Sequence, residues 1–298
     1  MSNLHLISFG DSRMRRSQER IEKQAAELKV FKSVSILNEN DLAPDFRLKH
    51  IDKLVLGSRG FGYWVWKPHI VRRKLENLDE DDVLLYTDIG CWLNKNGKQQ
   101  LLRYVEKLRD SSHGVAAFQN IFSRDKNNMK FYSLPECNWT KPDVFDHFSI
   151  SESDVIYKSE QIFSTAFFVK NNNAGRQVIS NWENLYNESF FLFDDNYRRK
   201  PDVVDFGEHR HDQSIFSILL KLNGYVALNA FDCFYPDYRH ADKPLPKIRS
   251  DWSKITNSPI QFRRDKDLGL GPKAKKYLSN AYHKILSAKD YKKMKNWS

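Results

Sequence analysis

The sequence predicts an α/β domain with a mostly parallel central sheet, and two observations support that prediction. Residues 83–86 form an unbroken apolar and aromatic run, which is typical of a strand buried on both faces. The chain also opens with a short apolar segment at 4–9, a turn containing Gly10, an amphipathic helical pattern and a second apolar segment at 30–37. This order of elements is how a nucleotide-binding α/β domain begins. A single glycine in the turn is too few for a dinucleotide-binding fingerprint.

The composition indicates a folded globular protein. The chain has 298 residues, of which 40% are hydrophobic, enough for one large domain or two modest ones. It has no apolar run of about 18 residues that could span a bilayer, and its start lacks the pattern of a signal peptide. Its three cysteines are too widely spaced for a disulfide framework or a zinc site. We therefore expect a cytoplasmic protein in reducing surroundings.

The basic charge is concentrated near the C-terminus. The chain has 48 basic and 38 acidic residues, a net charge of +10, but residues 273–295 alone contain eight lysines and one acid. A nucleic-acid binder normally carries its charge on a folded face, so no nucleic-acid partner is expected. Residues 251–298 are predicted to form a basic helical extension. It either lies on the anionic inner face of the plasma membrane or packs on the core with its lysines facing water.

The middle of the chain alternates strands and helices around one weakly patterned stretch. Residues 1–250 are therefore predicted to form a single domain, with an irregular insertion at about 121–160. Such long insertions are often functional. The predicted elements are a helix from Pro68 to 78, a helix at 101–108, strands at 114–118, 162–169 and 225–228, and helices after 171–173 and 212.

The predicted strand at 83–86 leads into Asp88, and Gly90 follows two residues later. In open α/β sheets, ligands bind outside the carboxyl ends of the strands, so an acid at this place is directed at a site. Gly90 would let a backbone or ligand approach closely. The alternative is that Asp88 forms a turn that caps the next loop.

Residues 57–67 combine three glycines and four aromatic residues with Arg59 and Lys67. The glycines allow close approach of the backbone, and the two cations suit a diphosphate. The alternative is a loop that docks the following helix, with its aromatic residues in the core.

Residues 208–214 contain Glu208, His209, His211 and Asp212 at the start of a predicted helix. Asp212 can either act on a ligand or serve as the N-cap of that helix. The two histidines also suggest a metal cluster. This interpretation is the less favoured one, because residues two apart on a helix face away from each other.

Taken in order, these stretches resemble the bacterial nucleotide-sugar glycosyltransferases of the Rossmann-like A-type fold that build lipopolysaccharide or capsule. The resemblance covers residues 4–245 and rests on the early strand and turn, GYWVWKP at 62–68, YTDIGC at 86–91, STAFFV at 164–169 and HDQSIF at 211–216. The Asp-x-Asp motif of that family is degenerate here, since Gly90 replaces its second acid.

The resemblance implies transfer of a sugar from a nucleotide-diphosphate sugar to a glycan or lipid-linked acceptor, assisted by Mn²⁺ or Mg²⁺. It also implies that the insertion at about 121–160 lies on the acceptor side. Residues implied to contact the donor are Asp88, Gly90, Arg59, Lys67, Trp66 and Lys243. The implied metal ligands are Asp88 and His240. The implied catalytic residues are Asp212 and Gln213, and Glu208 is a further candidate from the reaction chemistry.

The reaction chemistry accounts for these residue types. A divalent metal or paired cations would stabilise charge on the departing diphosphate. An inverting enzyme needs a carboxylate base, for which Asp212 or Glu208 is the candidate, whereas a retaining enzyme needs no base at that place. The alternatives are a non-catalytic nucleotide-sugar- or glycan-binding protein and, less favoured, a basic nucleic-acid-binding protein.

Overall fold

A six-stranded sheet lies at the centre of the computed structural model, which describes residues 3–121, 133–235 and 250–265. Its strands run in the order β2-β1-β3-β6-β5-β7, and a separate two-stranded sheet joins β4 and β8. The strands are β1 (Leu4–Phe9), β2 (Ser33–Leu37), β3 (Val83–Asp88), β4 (Trp92–Leu93), β5 (Val115–Gln119), β6 (Ile162–Lys170), β7 (Val226–Asn229) and β8 (Ile260–Gln261).

Strand β6 alone runs against the direction of the main sheet. β1 pairs in parallel with β2 and β3, and β5 pairs in parallel with β7, whereas β6 is antiparallel to both β3 and β5. The predicted α/β class with a mostly parallel sheet is confirmed. The reversal of β6 brings its first residues to the edge at which β3 ends, because Thr87 pairs with Ala166.

The sheet is covered by helices on both faces. Alternate residues of β3 supply the two sides: Leu84 and Tyr86 belong to one hydrophobic cluster, and Val83 and Leu85 belong to the other. The run is apolar throughout because both of its faces are buried. The helices are α1 (Arg15–Leu28), α2 (Pro44–Lys49), α3 (Gly60–Tyr63), α4 (Trp66–Leu75), α5 (Lys98–Arg109), α6 (Glu136–Trp139), α7 (Pro142–His147), α8 (Val155–Lys158), α9 (Asn173–Glu188) and α10 (Asp212–Asn223).

Several short elements differ from the sequence expectations. The described part of the predicted insertion contains the helices α6, α7 and α8 rather than irregular chain. Helices of four to six residues show too few turns for a periodic pattern to reveal them. The described part of the predicted C-terminal extension, residues 251–265, contains no α-helix. Its strand β8 pairs with β4, and residues 266–298 lie outside the described residues.

None of the helices in the described ranges has the length and apolar character needed to cross a membrane.

Candidate functional site

The largest concentration of predicted site residues lines one cleft at the edge of the sheet where β1 and β3 end. The cleft has a volume of ≈ 340 Å³. It is bounded by the turn after β1, the segment before α4, the loop after β3, the start of β6 and the start of α10. The predicted residues that line it are Arg59, Trp66, Lys67, Asp88, Gly90, Glu208, Asp212 and Gln213. The predicted His240 and Lys243 lie outside the described residues.

Lys67 lies at the floor of the cleft between two carboxylates. Its Nζ is 2.6 Å from Asp212 Oδ2 and 3.2 Å from Asp88 Oδ1, and only 1% of its side chain is exposed. Burial opposes the charge of Lys67, but the attraction of Asp212 and Asp88 outweighs it and raises the pKa of the lysine. Lys67 is therefore a buried cation already bonded to two acids, rather than a free cation offered to a ligand.

Asp212 is the first residue of α10 and not its N-cap, a position occupied by His211. Lys67 donates to Asp212 Oδ2, and the Ser164 hydroxyl donates to the same oxygen at 2.8 Å. The carboxylate thus bonds to the neighbouring helix and strand instead of closing the first turn. The N-cap alternative for Asp212 is wrong. Position in the sequence alone does not distinguish the N-cap of a helix from the residue that follows it.

Asp88 is the more exposed of the two acids, with 34% of its side chain accessible. The Tyr86 hydroxyl donates to Asp88 Oδ1 at 2.7 Å, from the position two residues earlier on the same face of β3. Tyr86 itself is fully buried, and burial together with Asp88 raises its pKa well above the usual value. The hydroxyl therefore stays a donor and fixes the orientation of the carboxylate.

The aromatic segment before α4 adopts an unusual backbone. Phe61, Tyr63 and Trp64 all have positive φ values, and Gly60 has a φ of +58° with no room for a Cβ beside the Trp64 ring. Trp66 stacks on Phe9 with ring centroids 4.0 Å apart and donates its indole N–H to Gly60 O at 3.0 Å. Trp66 is therefore largely a core residue with one side on the cleft. Such strained conformations cluster at functional sites.

Arginines and acids form a network at the mouth of the cleft. Glu208 accepts hydrogen bonds from Arg59 at 3.5 Å and pairs with Arg210 at 3.2 Å, while Arg59 also donates to Asp195 at 3.2 Å. The Arg210 guanidinium lies 4.2 Å from the centroid of a Trp139 ring. Burial lowers the pKa of Arg210 to about 10, although Glu208 acts in the opposite direction. Both oxygens of Glu208 thus serve to orient arginines.

His209 and His211 are not arranged as a pair of metal ligands. His209 is buried, with Nε2 bonded to Leu192 O at 2.9 Å and Nδ1 accepting from Lys141 N at 3.3 Å. Burial, followed by the charges of His211 and Lys141, lowers the pKa of His209 well below 6.5. Both ring nitrogens of His209 are used by the backbone. The predicted alternative of a metal site formed by His209 and His211 is therefore wrong.

The described residues do not fit the divalent metal that the resemblance implies. Of the predicted ligands, they supply only Asp88, whose Oδ1 is already bonded to Tyr86 and lies near the charge of Lys67. In the described part of the chain, no three His, Cys, Asp or Glu side chains are grouped so that they could hold a metal ion. Divalent cations of the Mg²⁺ and Mn²⁺ type bind through several oxygen ligands.

Gln213 turns its side chain toward the residue that precedes β6, where its amide donates to Gln161 Oε1 at 2.6 Å. It lines the cleft from the first turn of α10.

Several residues of the cleft were not predicted from the sequence. Ser164 could have been recognised, because a polar residue interrupts an apolar strand there. Asp11 and Arg13 follow shortly after β1, and Arg13 donates to Asp11 at 2.7 and 2.8 Å. Like Asp88, they are charged residues at the end of an apolar strand, so the same reasoning could have identified them. Arg264 had no signal at all, because it reaches the cleft from the far end of the described chain.

The comparisons with known proteins find similar solved structures but no match by sequence. No protein-family model and no curated protein matches the chain. Similar solved structures include a glycosyltransferase involved in glycosylation of the major capsid of PBCV-1, with a TM-score of 0.44, 10% identity, and coverage of 87% of this chain and 93% of that one. Another is the glycosyltransferase GlyE of Streptococcus pneumoniae TIGR4, with a TM-score of 0.45, 14% identity and coverage of 88% of this chain. This chain spans 55% of GlyE. A third is the galactosyltransferase LgtC in complex with donor and acceptor sugar analogues, with a TM-score of 0.41, 13% identity and 86% of each chain covered.

Proposed function

We propose that this protein transfers a sugar from a nucleotide-diphosphate sugar to a hydroxyl group of a glycan acceptor. The observation that supports this best is the composition of the cleft. It places two carboxylates, Asp88 and Asp212, on a shared buried cation beside arginines and an aromatic wall. Arginines suit phosphate oxygens, aromatic rings suit a base or a sugar, and the edge of the sheet is where α/β folds bind ligands.

Asp212 is the residue we propose to act on the sugar or the acceptor. Its Oδ2 is held by Lys67 and Ser164, so the carboxylate has a fixed orientation and a compensated charge. Glu208 is the weaker candidate, because both of its oxygens are occupied by arginines and 45% of its side chain is exposed. A catalytic carboxylate has to be positioned before its proton affinity matters.

In the transfer step, the acceptor oxygen forms a bond to the anomeric carbon, and the bond from that carbon to the phosphate oxygen breaks with its electron pair. The proton of the acceptor hydroxyl goes to Asp212 if the configuration inverts, or to the departing phosphate if it is retained. Negative charge develops on the diphosphate, so fixed cations in the cleft stabilise the transition state.

A thermal-shift screen with nucleotide sugars, combined with detection of the released nucleoside diphosphate, tests this proposal. A ligand at about 100 times its Kd adds about 2.7 kcal/mol to the free energy of unfolding, which gives a clear rise in melting temperature. We expect at least one nucleotide sugar to stabilise the protein and to be slowly hydrolysed or transferred. Stabilisation without any turnover would favour the non-catalytic binding protein. No response to any nucleotide sugar would refute the proposal.

We further propose that the acceptor is lipid-linked, as in bacterial surface polysaccharide synthesis, and that the enzyme works at an anionic membrane. A groove of ≈ 430 Å³ adjoins the cleft through Phe61, which lines both. Leu48 and Ile51 at this groove are 72% and 68% exposed. Arg47 and Lys49 beside them are also exposed, as suits anionic headgroups. The basic tail at 273–295, outside the described residues, would add to this attraction.

Co-sedimentation with vesicles of phosphatidylglycerol tests the membrane proposal. We expect the full chain to bind and to be released by salt. Binding should weaken in the double variant Leu48→Asp/Ile51→Asp. Val155→Asp is the control, because Val155 is 82% exposed but lies away from the groove, and this variant should bind as the unaltered chain does. A chain ending at Gly271 reports the share of the tail. Unchanged binding by the double variant would show that the groove does not face the membrane.

A further inference from the structure

The loop after β3 lies against the backbone of the C-terminal segment, and Gly90 makes this contact possible. A Cβ at Gly90 would be 3.1 Å from Arg264 Cα and 3.2 Å from Arg264 C. Asp265 N donates to Gly90 O at 3.0 Å. The position at which the resemblance expects a second carboxylate is therefore occupied by another stretch of chain, which brings its own side chain to the cleft.

Arg20 of α1 fixes this arrangement from behind. Its guanidinium donates to Cys91 O at 2.7 Å, to Ile89 O at 3.0 Å and to Asp265 O at 3.0 Å. One side chain thus ties the loop after β3 to the C-terminal segment. The pairing of β8 with β4 supports the same segment a few residues earlier. The entry of Arg264 into the cleft is consequently a fixed feature of the fold.

Arg264 differs from the other arginines that line the cleft. Arg13 pairs with Asp11, Arg59 pairs with Asp195 and Glu208, and Arg210 pairs with Glu208. Within the described ranges, no carboxylate forms an ion pair with Arg264. Its charge is close enough to Arg210 to lower the pKa of that residue further. The four arginines that line the cleft are matched by three carboxylates in these ion pairs, and a bound anion would supply Arg264 with the partner that the described residues do not.

We propose that Arg264, together with Arg210, binds the diphosphate of the donor beside Asp88, in the place of a carboxylate-held divalent metal. This inference rests on the proposed function and names the groups that meet the diphosphate. A guanidinium offers two parallel N–H donors to phosphate oxygens and needs no further ligands. The strain of the position supports a role in binding, because Arg264 has a φ of 53°, a value that favours glycine.

Isothermal titration calorimetry with UDP, GDP, CDP and inorganic pyrophosphate tests the inference, in EDTA and again with Mn²⁺. We expect the unaltered chain to bind at least one nucleoside diphosphate in EDTA. Arg264→Gln should weaken that binding by about tenfold or more, the effect of losing one charge-assisted contact. Binding of the corresponding nucleoside should stay the same. Arg264→Lys should recover part of the loss, since it keeps the charge but not the paired donors.

Arg263 provides the matched control. Its guanidinium lies over the Trp92 ring at 4.4 Å and the Trp252 ring at 5.0 Å, outside the cleft. Arg263→Gln makes the same change in charge one residue away, and we expect diphosphate binding to be unaltered. Arg264→Gly removes the side chain and relieves the positive φ. It therefore reports the loss of the cation even if Arg264→Gln folds poorly.

The outcomes separate this inference from the proposed function. Diphosphate binding that is unchanged in Arg264→Gln, or that occurs only with Mn²⁺, overturns the inference while leaving a sugar transferase possible. Binding that depends on Arg264, without turnover of any nucleotide sugar, supports the inference and refutes the transferase. Failure of the unaltered chain to bind any of these diphosphates under either condition refutes both.

Discussion

Lys67→Met should lower the free energy of unfolding by about 3 to 5 kcal/mol, the usual effect of removing one partner from a buried ion pair. Lys67 Nζ lies 2.6 Å from a carboxylate oxygen of Asp212, and 1% and 5% of the two side chains are exposed. Asp212 would keep the bond from Ser164 but would lose its counter-ion in a dry environment. Asp88 would be affected less, because it is partly exposed and keeps its bond from Tyr86.

Urea unfolding at neutral pH measures this loss. The raised pKa of Lys67 means that its stabilisation is present at neutral pH and is lost only as the pH rises through that raised value. Lys74→Met is the matched control, since Lys74 lies on the same helix and is half-buried with no acid acting on its pKa. We expect Lys74→Met to change the free energy of unfolding by about 0.5 kcal/mol or less.

A double-mutant cycle with Asp212→Asn then isolates the interaction. The double variant Lys67→Met/Asp212→Asn has no isolated charge at position 212. Its loss in free energy of unfolding should therefore be smaller than the sum of the two single losses by about 0.5 to 3 kcal/mol. Additive effects, or a loss below about 1 kcal/mol for Lys67→Met alone, would refute the view that Lys67 holds the two acids.

Four further predictions follow from the cleft and its surroundings. Asp88→Asn should keep the melting temperature but remove most sugar transfer; near-normal turnover would remove Asp88 from the site. Asp212→Asn should lower kcat by about 10²-fold or more with little change in donor affinity, and a pure loss of affinity would contradict its proposed role. Gly90→Ala should displace Arg264, weakening diphosphate binding and lowering the free energy of unfolding by about 1 to 3 kcal/mol, as calorimetry and urea unfolding can show. Because the pKa of His209 is lowered in the folded protein, the unfolded chain takes up a proton there at higher pH than the folded chain does. The contribution of neutral His209 to the free energy of unfolding should be fully present above about pH 6.5 and should fall as the pH decreases below it. A urea midpoint that does not change between about pH 7 and pH 5 would contradict this.

The sequence predicts the sheet and part of the cleft because local signals are strong there. Strand β3 must be apolar at Leu84 and Tyr86 for one cluster and at Val83 and Leu85 for the other, which produces the run that identifies it. Asp88 then stands out as the first acid beyond that run. Residues of the stretches 59–67 and 208–213 line the same cleft as Asp88. The order of these stretches along the chain matches the order of the strands and helices that bring them together.

The remaining features depend on contacts between distant residues. An apolar run predicts a strand at Ile162–Lys170 but not its direction, which is decided by hydrogen bonding to β3 and β5. The role of Gly90 requires knowing that Arg264, 174 positions later, lies against it. The partner of Lys67 is equally remote, since Asp212 follows it by 145 residues. Patterns within a short window carry no information about such pairs.

The late position of Arg264 also affects how the cleft is assembled during synthesis. Every strand of the main sheet lies at or before Asn229, so the last residue of the sheet is synthesised 35 residues before Arg264. At ordinary rates of translation that interval lasts about 2 to 7 seconds. During that interval the chain contains every strand of the main sheet but not the cation that we propose to hold the diphosphate. Donor binding would consequently begin only after the segment that carries Arg264 has left the ribosome and docked on the loop after β3.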